Sequence, residues 1–424
     1  MPPNHSRRQL LAGVGAFALA GCTDLFGDDE EPTPTPSPSP SPTPEPEGTI
    51  SVQGEGIPVD VDEVWERVVD LMAVDVEPPE RVVATRDRTG SGWMPLHTFD
   101  ARLVGVEEDE YRLPEADEPV ASGWSNDPET VHVRPAGDSV DGIELALVYG
   151  FVRSIQQQQG WTGEQLYQQG IQELAVVDGL RPAGARYVET AYAGKYLETN
   201  PRNPGEFPDA PPEILYRVLD TYYAYHYLEW RLDDPAEIGE VYEEPPRTSE
   251  QLIHHLPPDH GPAPLDVRVE DGGDWSGSSQ GRRGELFVRG FLQAFLDRER
   301  ANEASTGWGN DHRVRFRTLD GEQGDVFVTR WDAPADADTF EDAMGEYLDE
   351  RAESAENGWQ DGEDGWQDGE DDLRFELERA SEDVVALIAG PETFTEAVTL
   401  EADSSDVTVA VETGAVRSPE PSTQ

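Results

Sequence analysis

Apolar residues recur at helical intervals in several stretches of this chain. Val61, Val64, Val68 and Leu71 repeat at three- and four-residue steps, which predicts a first helix over Asp60 to Met72. Ile143, Leu147, Phe151 and Ile155 share one face of a helix expected to run to about Gln159, with Asp141 and Glu144 as its N-terminal cap. Thr162-Gly163-Glu164-Gln165 repeats that capping logic ahead of a helix carrying Leu166, Ile171 and Leu174. A further helix is expected to include Ala185 to Leu197, with Pro182 near its start. The next, Pro212 to Leu232, is rich in aromatic residues: Tyr216, Tyr222, Tyr223, Tyr225, Tyr227 and Trp230. A packed core helix is the default reading of such a stripe, and a groove contacted by Tyr222, Tyr223 and Trp230 is the alternative. Glu285 to Arg298 and Asp336 to Arg351 predict two more helices.

Strand signals are fewer and lie mostly towards the end. Val82-Val83-Ala84 and Thr130 to Val133 are short candidates, each β-branched and bounded by polar residues. Arg313 to Arg317 and Val326 to Val328 flank Asp320-Gly321 and predict a hairpin with an enlarged turn. Leu373 to Leu377 and Val384 to Ile388 predict a second antiparallel pair. The expected class is α+β, mostly helical, with a small antiparallel sheet.

Charge changes the picture of where the chain works. Its 424 residues include 88 Asp+Glu and 31 Lys+Arg, for a formal net charge of −57. Such a field repels phosphate backbones and speaks against nucleic acid as a partner. The acid excess is similar to that of proteins from halophilic archaea; at 1 M salt, with a Debye length of about 3 Å, the self-repulsion is largely screened. The single cysteine excludes an intramolecular disulfide and a thiolate cluster.

That cysteine is Cys22, and its setting is informative. Arg7-Arg8 is followed by an apolar run of small residues ending in Leu19-Ala20-Gly21-Cys22. Paired arginines before a short apolar segment are the parts of a twin-arginine export signal, and the last four residues resemble a lipoprotein processing box. Residues 1–21 are therefore read as the signal, with Cys22 as the lipidated first residue of the mature chain. Residues 22–50 form a spacer in which proline occupies every second position from Pro32 to Pro44, giving an extended segment. The folded body is assigned to 51–400 and a C-terminal segment with a disordered tail to 401–424. The expected location is extracytoplasmic, anchored to the outer face of the cell membrane by the lipid.

Within the body, Gly358-Trp359-Gln360-Asp361-Gly362-Glu363-Asp364 is repeated without change up to Asp371. Two copies are too few for a solenoid, so 358–371 is expected to be an exposed acidic insertion. His254, His255 and His260 suggest a metal site only weakly, because adjacent histidines on a helix face apart. No phosphate loop, dinucleotide fingerprint or nucleophile elbow is present, and no cofactor is implied.

Four segments carry a resemblance: Leu145 to Gln159, Tyr216 to Trp230, Pro245 to His254 and Thr306-Gly307-Trp308-Gly309. Together they resemble a family of secreted, predominantly prokaryotic zinc-metallopeptidase-like proteins of the gluzincin type. Its members that keep the site bear HExxH followed by Ala-Leu-Gln-Asp-Gln, a second helix with an Ala-Leu-Val-Glu-Gly-Asp-Ala-like stretch, and a Pro-Pro-Arg-Ser-Thr-Glu-Gln-Ile-Leu-His-Pro signature. The signature reads here as Pro245-Pro246-Arg247-Thr248-Ser249-Glu250-Gln251-Leu252-Ile253-His254-His255. The resemblance implies a metallopeptidase-like framework over most of the body and a degenerate site. Tyr149 and Arg153 stand at the two imidazole positions, Gly150 at that of the water-activating glutamate, and Asp178-Gly179 at the Glu-Gly of the second helix.

The chemistry of these residues argues against catalysis on its own. A catalytic zinc needs about three protein ligands and a base for its water, whereas a phenol and a permanently charged guanidinium offer neither. An Arg153–Asp178 ion pair in the place of the metal is expected, as is a helix break near Asp178 to Pro182. The reading that results is a non-catalytic protein that binds peptide or protein, with a purely structural surface protein or a rebuilt hydrolase as alternatives.

Overall fold

The computed structural model describes residues 50–85, 98–105, 121–136, 139–197, 205–208, 210–354, 360–362, 365–367, 373–403 and 405–412. Arg7, Arg8, Cys22, the proline-rich spacer and the C-terminal tail lie outside the described residues.

The first half is helical around a small sheet. Strand β1 (Ser51–Gln53) precedes α1 (Val61–Met72), whose N-cap Asp60 accepts a hydrogen bond from the Glu63 amide. Then come β2 (Arg81–Ala84), α2 (Thr98–Val104), β3 (Ser122–Trp124) and β4 (Thr130–Arg134). The sheet order is β1-β2-β4-β3, parallel except for β3. Helix α3 (Val140–Gln158) starts two residues earlier than the Asp141 cap predicts: Ser139 is the cap, accepting from the Gly142 amide at 3.1 Å. Glu144, expected to complete that cap, is instead buried between helices, where it accepts from Tyr192 Oη at 2.5 Å and Arg67 at 3.4 Å.

Helix α4 (Gly163–Gln168) is capped by Thr162, as its sequence predicts, but ends early because Gly170 turns to φ +86°. Leu174 therefore opens the next helix, α5 (Leu174–Tyr196), which runs unbroken through Pro182. The predicted break is absent. Side chains from outside bond to the carbonyls next to the proline: Gln156 Nε2 donates to that of Arg181 at 2.9 Å and Tyr242 Oη to that of Leu180 at 3.4 Å. Gly179 serves a different end, since a Cβ there would lie 2.6 Å from the Asp220 carbonyl oxygen of α6 (Pro212–Arg231). It lets two helices approach closely. Short helices α7 (Ile238–Glu243) and α8 (Ser249–His254) complete this half.

The second half is a layered sandwich. It comprises β5 (Asp266–Glu270), β6 (Ser276–Gly281), α9 (Glu285–Leu292), α10 (Arg298–Ser305), β7 (Trp308–Arg317), β8 (Gln323–Trp331) and α11 (Pro334–Ser354). These are followed by β9 (Gln360–Gly362), β10 (Gly365–Gln367), β11 (Leu373–Arg379), β12 (Val384–Pro391), α12 (Glu392–Thr395), β13 (Val398–Asp403) and β14 (Asp406–Val411). The expected helix to Arg298 ends at Leu292, and Asp297 caps a new one by accepting from the Arg300 amide at 2.9 Å.

The sheet is larger than its sequence signals suggest. Seven antiparallel strands lie in the order β6-β7-β8-β12-β11-β10-β9. Along β12, Val385, Leu387 and Ala389 pack towards α9, α10 and α11, while Val384, Ala386 and Ile388 pack towards β13 and β14. Both faces are thus buried, which explains an unbroken apolar run where one-sided strands alternate. The two copies of the heptapeptide do more than protrude: β9 and β10 pair with each other and extend the sheet from β11. Residues 401–411 belong to the body rather than to a separate tail, since β14 pairs in parallel with β5 and antiparallel with β13.

Candidate functional site

Of its degenerate positions, helix α3 turns Tyr149 and Arg153 towards α5. Gly150 points the other way, into the small sheet, where a Cβ would lie 2.5 Å from Val131 Cγ1. Its lack of a side chain serves close helix-to-sheet packing, and a glutamate would not fit there without backbone movement. Tyr149 is half-buried, with the Arg186 guanidinium 4.5 Å above its ring centre. Arg186 is in turn held by Glu189 at 2.5 Å.

Arg153 does not pair with Asp178. Its Nη1 donates to Gln156 Oε1 at 3.1 Å, one turn along its own helix. Gln156 is fully buried and acts as a hub, its Nε2 reaching the Arg181 carbonyl and, at 2.9 Å, Tyr242 Oη. On α5, Arg181 lies within electrostatic range of both Arg153 and Asp178. Arg181 Nε and Nη2 are shut off from solvent and have no hydrogen-bond partner. Burial, reinforced by the Arg153 charge, holds the Arg181 guanidinium below its ordinary pKa.

Asp178 lies one turn before Arg181 on α5. It lines an open cleft of about 430 Å³ together with Leu174, Ala175, Tyr216, Asp220, Arg283 and Phe287. The three aromatic residues expected at a groove do not line this cleft. Tyr222 and Tyr223 meet edge to face at 5.0 Å, and Tyr222 also packs on Phe207 and His226. Trp230 is exposed and stacks on His255 with ring centres 5.6 Å apart. Tyr216 is the aromatic residue of α6 that reaches the cleft.

The proline-rich signature has a structural role that its sequence does not reveal. Thr248 caps α8 in a reciprocal capping box with Gln251, and Thr248, Ser249 and Gln251 are fully buried. Glu173 Oε2, at the start of α5, accepts from the Ser249 amide at 2.6 Å, and Ser249 Oγ accepts from the Leu286 amide at 3.1 Å. The segment thus ties the N-termini of α5, α8 and α9. Burial pushes the Glu173 carboxyl up to about 8 against the pull of Arg282, 3.8 Å away. Asp311 supports the neighbouring turn, accepting from the Arg283 and Gly284 amides at 2.7 Å each and from Trp308 Nε1 at 3.1 Å.

The histidines disperse. His254 meets Glu285 at 2.9 Å, His260 meets Glu250 at 3.5 Å, and His255 stacks on Trp230. Among the described residues, no group of three or more His, Cys, Asp or Glu side chains is arranged to hold a metal ion. Likewise, among the described residues no helix is long and apolar enough to cross a membrane.

Sequence reasoning missed Glu173, Asp311, Gln156 and Arg181. Arg181 left a faint signal as a basic residue between Leu180 and Pro182 within an otherwise apolar turn. The others left none, because each partner is distant in the chain.

A family model described as "Domain of unknown function (DUF8575)" matches residues 274–411. No curated protein and no solved structure matches the chain.

Proposed function

We propose that this chain is an exported, lipid-anchored protein of a halophilic archaeon that binds peptide or protein at the cell envelope without cutting it. Its body is read as a metallopeptidase-like framework that has lost its site. The observation that carries the reading is the α3–α5 face, where Tyr149, Arg153, Arg181 and Arg186 gather. Guanidiniums at these positions repel a dication, and the buried glycine at 150 supplies no base for a water. The twin arginines and the box ending in Cys22 support export and anchoring.

Metal analysis of protein refolded in 3 M KCl, with casein as substrate, tests the loss of catalysis. Metal below a tenth of stoichiometric and no cleavage are expected; stoichiometric zinc with cleavage would replace this reading by a hydrolase with a rebuilt site. A structural envelope protein is the second reading. It is favoured by the packing between α3 and α5, where Gln156 and Tyr242 are buried and bonded to each other. A peptide array at the same salt separates the two, since a structural protein yields no saturable binder.

A further inference from the structure

We infer that Ser279 and His312 form a nucleophile–base dyad on the outer strands of the large sheet, able to take an acyl group from a carboxylic ester. The inference goes beyond the binding reading and does not rest on it, since the dyad lies on β6 and β7 and shares no residue with the α3–α5 face.

Ser279 Oγ lies 2.8 Å from His312 Nε2. At that distance an imidazole can take the hydroxyl proton as the oxygen attacks, which is how an otherwise weak serine nucleophile is activated. The strand ladder explains the meeting. Strand β6 is the outermost of the sheet, and its register against β7 shifts between Ser279 and Gly281, leaving Gln280 without a cross-strand partner. A bulge of this kind re-aims the side chains beside it. Ser279 is opposite Val314 and meets His312 two positions along β7. Ser279 is exposed and His312 half-buried, so the oxygen is open to substrate while the base is partly shielded.

The surroundings keep the imidazole an acceptor. Burial, helped by the Arg282 charge, holds His312 below its ordinary pKa, so that near pH 7 the ring is neutral and Ser279 donates to it. Arg282 is placed by Asn310, two residues before His312, whose Oδ1 accepts from Arg282 Nε at 2.7 Å. A third group comes from β5. Strand β6 packs so closely on β5 that a Cβ on Gly277 would lie 2.3 Å from Val269 Cγ1. Asp266, the first residue of β5, acts on His312 in the opposite sense to Arg282 and favours the imidazolium that forms during proton transfer. Asp266 is thus a positioning residue.

In the reaction, Ser279 Oγ bonds to the ester carbonyl carbon as its proton passes to His312 Nε2. The bond from that carbon to the alkoxy oxygen breaks, and the alcohol leaves with the proton. Water then attacks the acyl-serine, His312 takes a proton from it and returns it to Ser279 Oγ, and the carboxylic acid is released. The exposed setting suits small activated esters rather than amides, whose leaving groups are poorer, and is compatible with uncut casein.

The test uses the full chain in 3 M KCl with a fluorophosphonate probe, which labels activated serines, and p-nitrophenyl acetate. A label mapped by mass spectrometry to Ser279 and ester hydrolysis indifferent to EDTA are expected. Ser279→Ala should abolish both and His312→Gln should slow both about a hundredfold, while Ser278→Ala leaves them unchanged. The rate should rise with pH through a midpoint below 6.5, and Asp266→Asn should move that midpoint lower still, because the carboxylate raises the His312 pKa. Each variant's Tm, compared with the parent's, separates loss of the dyad from failure to fold. A folded parent that takes no label at Ser279, or equal labelling of the parent and His312→Gln, would overturn the inference. Hydrolysis abolished by EDTA and unaltered by Ser279→Ala would overturn it as well.

Discussion

The buried arginines of the second half and those between α3 and α5 are solved in opposite ways. In the large sheet, Arg313 reaches Asp325 at 2.9 Å and Arg315 reaches the same carboxylate at 3.4 Å. Nearby, Arg283 meets Asp100 at 2.7 Å and Arg289 meets Glu285 at 2.6 Å. On the α3–α5 face, Arg153 and Arg181 have no such partner among the described residues. Matched buried charges hold a fold in register, while unmatched ones weaken it.

That contrast can be broken most sharply at Asp325. Asp325→Ala removes the carboxylate that two buried guanidiniums share and should cost about 3–5 kcal/mol of stability, read as a lower denaturation midpoint in molar salt. Glu173 sharpens it from the acid side. Because its folded pKa, about 8, lies above its ordinary value of 4.5, the native state keeps a proton that the unfolded state has lost. Its stabilising contribution is complete below about pH 4.5 and is lost as pH rises towards 8, at no more than about 1.4 kcal/mol per pH unit. Glu173→Gln should flatten that part of the stability profile; a profile identical to the parent's would show that Glu173 titrates normally.

Smaller effects probe the helix pair itself. Gly179→Ala places a methyl 2.6 Å from the Asp220 carbonyl oxygen and should destabilise by about 1–3 kcal/mol. An unchanged melting temperature would mean that α5 and α6 separate freely. Arg153→Met, without ligand, should shift stability by no more than about 0.5 kcal/mol, since no ion pair is lost. A large loss would restore the Arg153–Asp178 pair as a feature of the protein in solution.

Local patterns carried much of the fold. The helices over 61–72, 140–158 and 212–231, the Thr162 cap and the strands at β7, β8, β11 and β12 lie where apolar spacing and the Thr162 capping pattern place them. Departures occur where a distant side chain supplies what the local chain lacks. Pro182 predicts a break, yet Gln156 and Tyr242 bond to the adjoining carbonyls and the helix continues. The candidate site was legible only as positions. Tyr149, Gly150, Arg153 and Asp178 were named by their order along two helices, but facing is set by helix packing, which turned Gly150 into the sheet and Asp178 into another cleft.

By itself, the amino-acid order determined the elements, the acidic surface and the absence of an imidazole at positions 149 and 153, because propensity, charge and residue identity are properties of the local chain. Tertiary structure alone decided which cations are answered by carboxylates, that a glycine serves packing rather than a hinge, and that Arg181 Nε and Nη2 are buried without a hydrogen-bond partner. Those outcomes depend on distances between residues far apart in the chain, which only the close approach of α3, α5 and α6 determines.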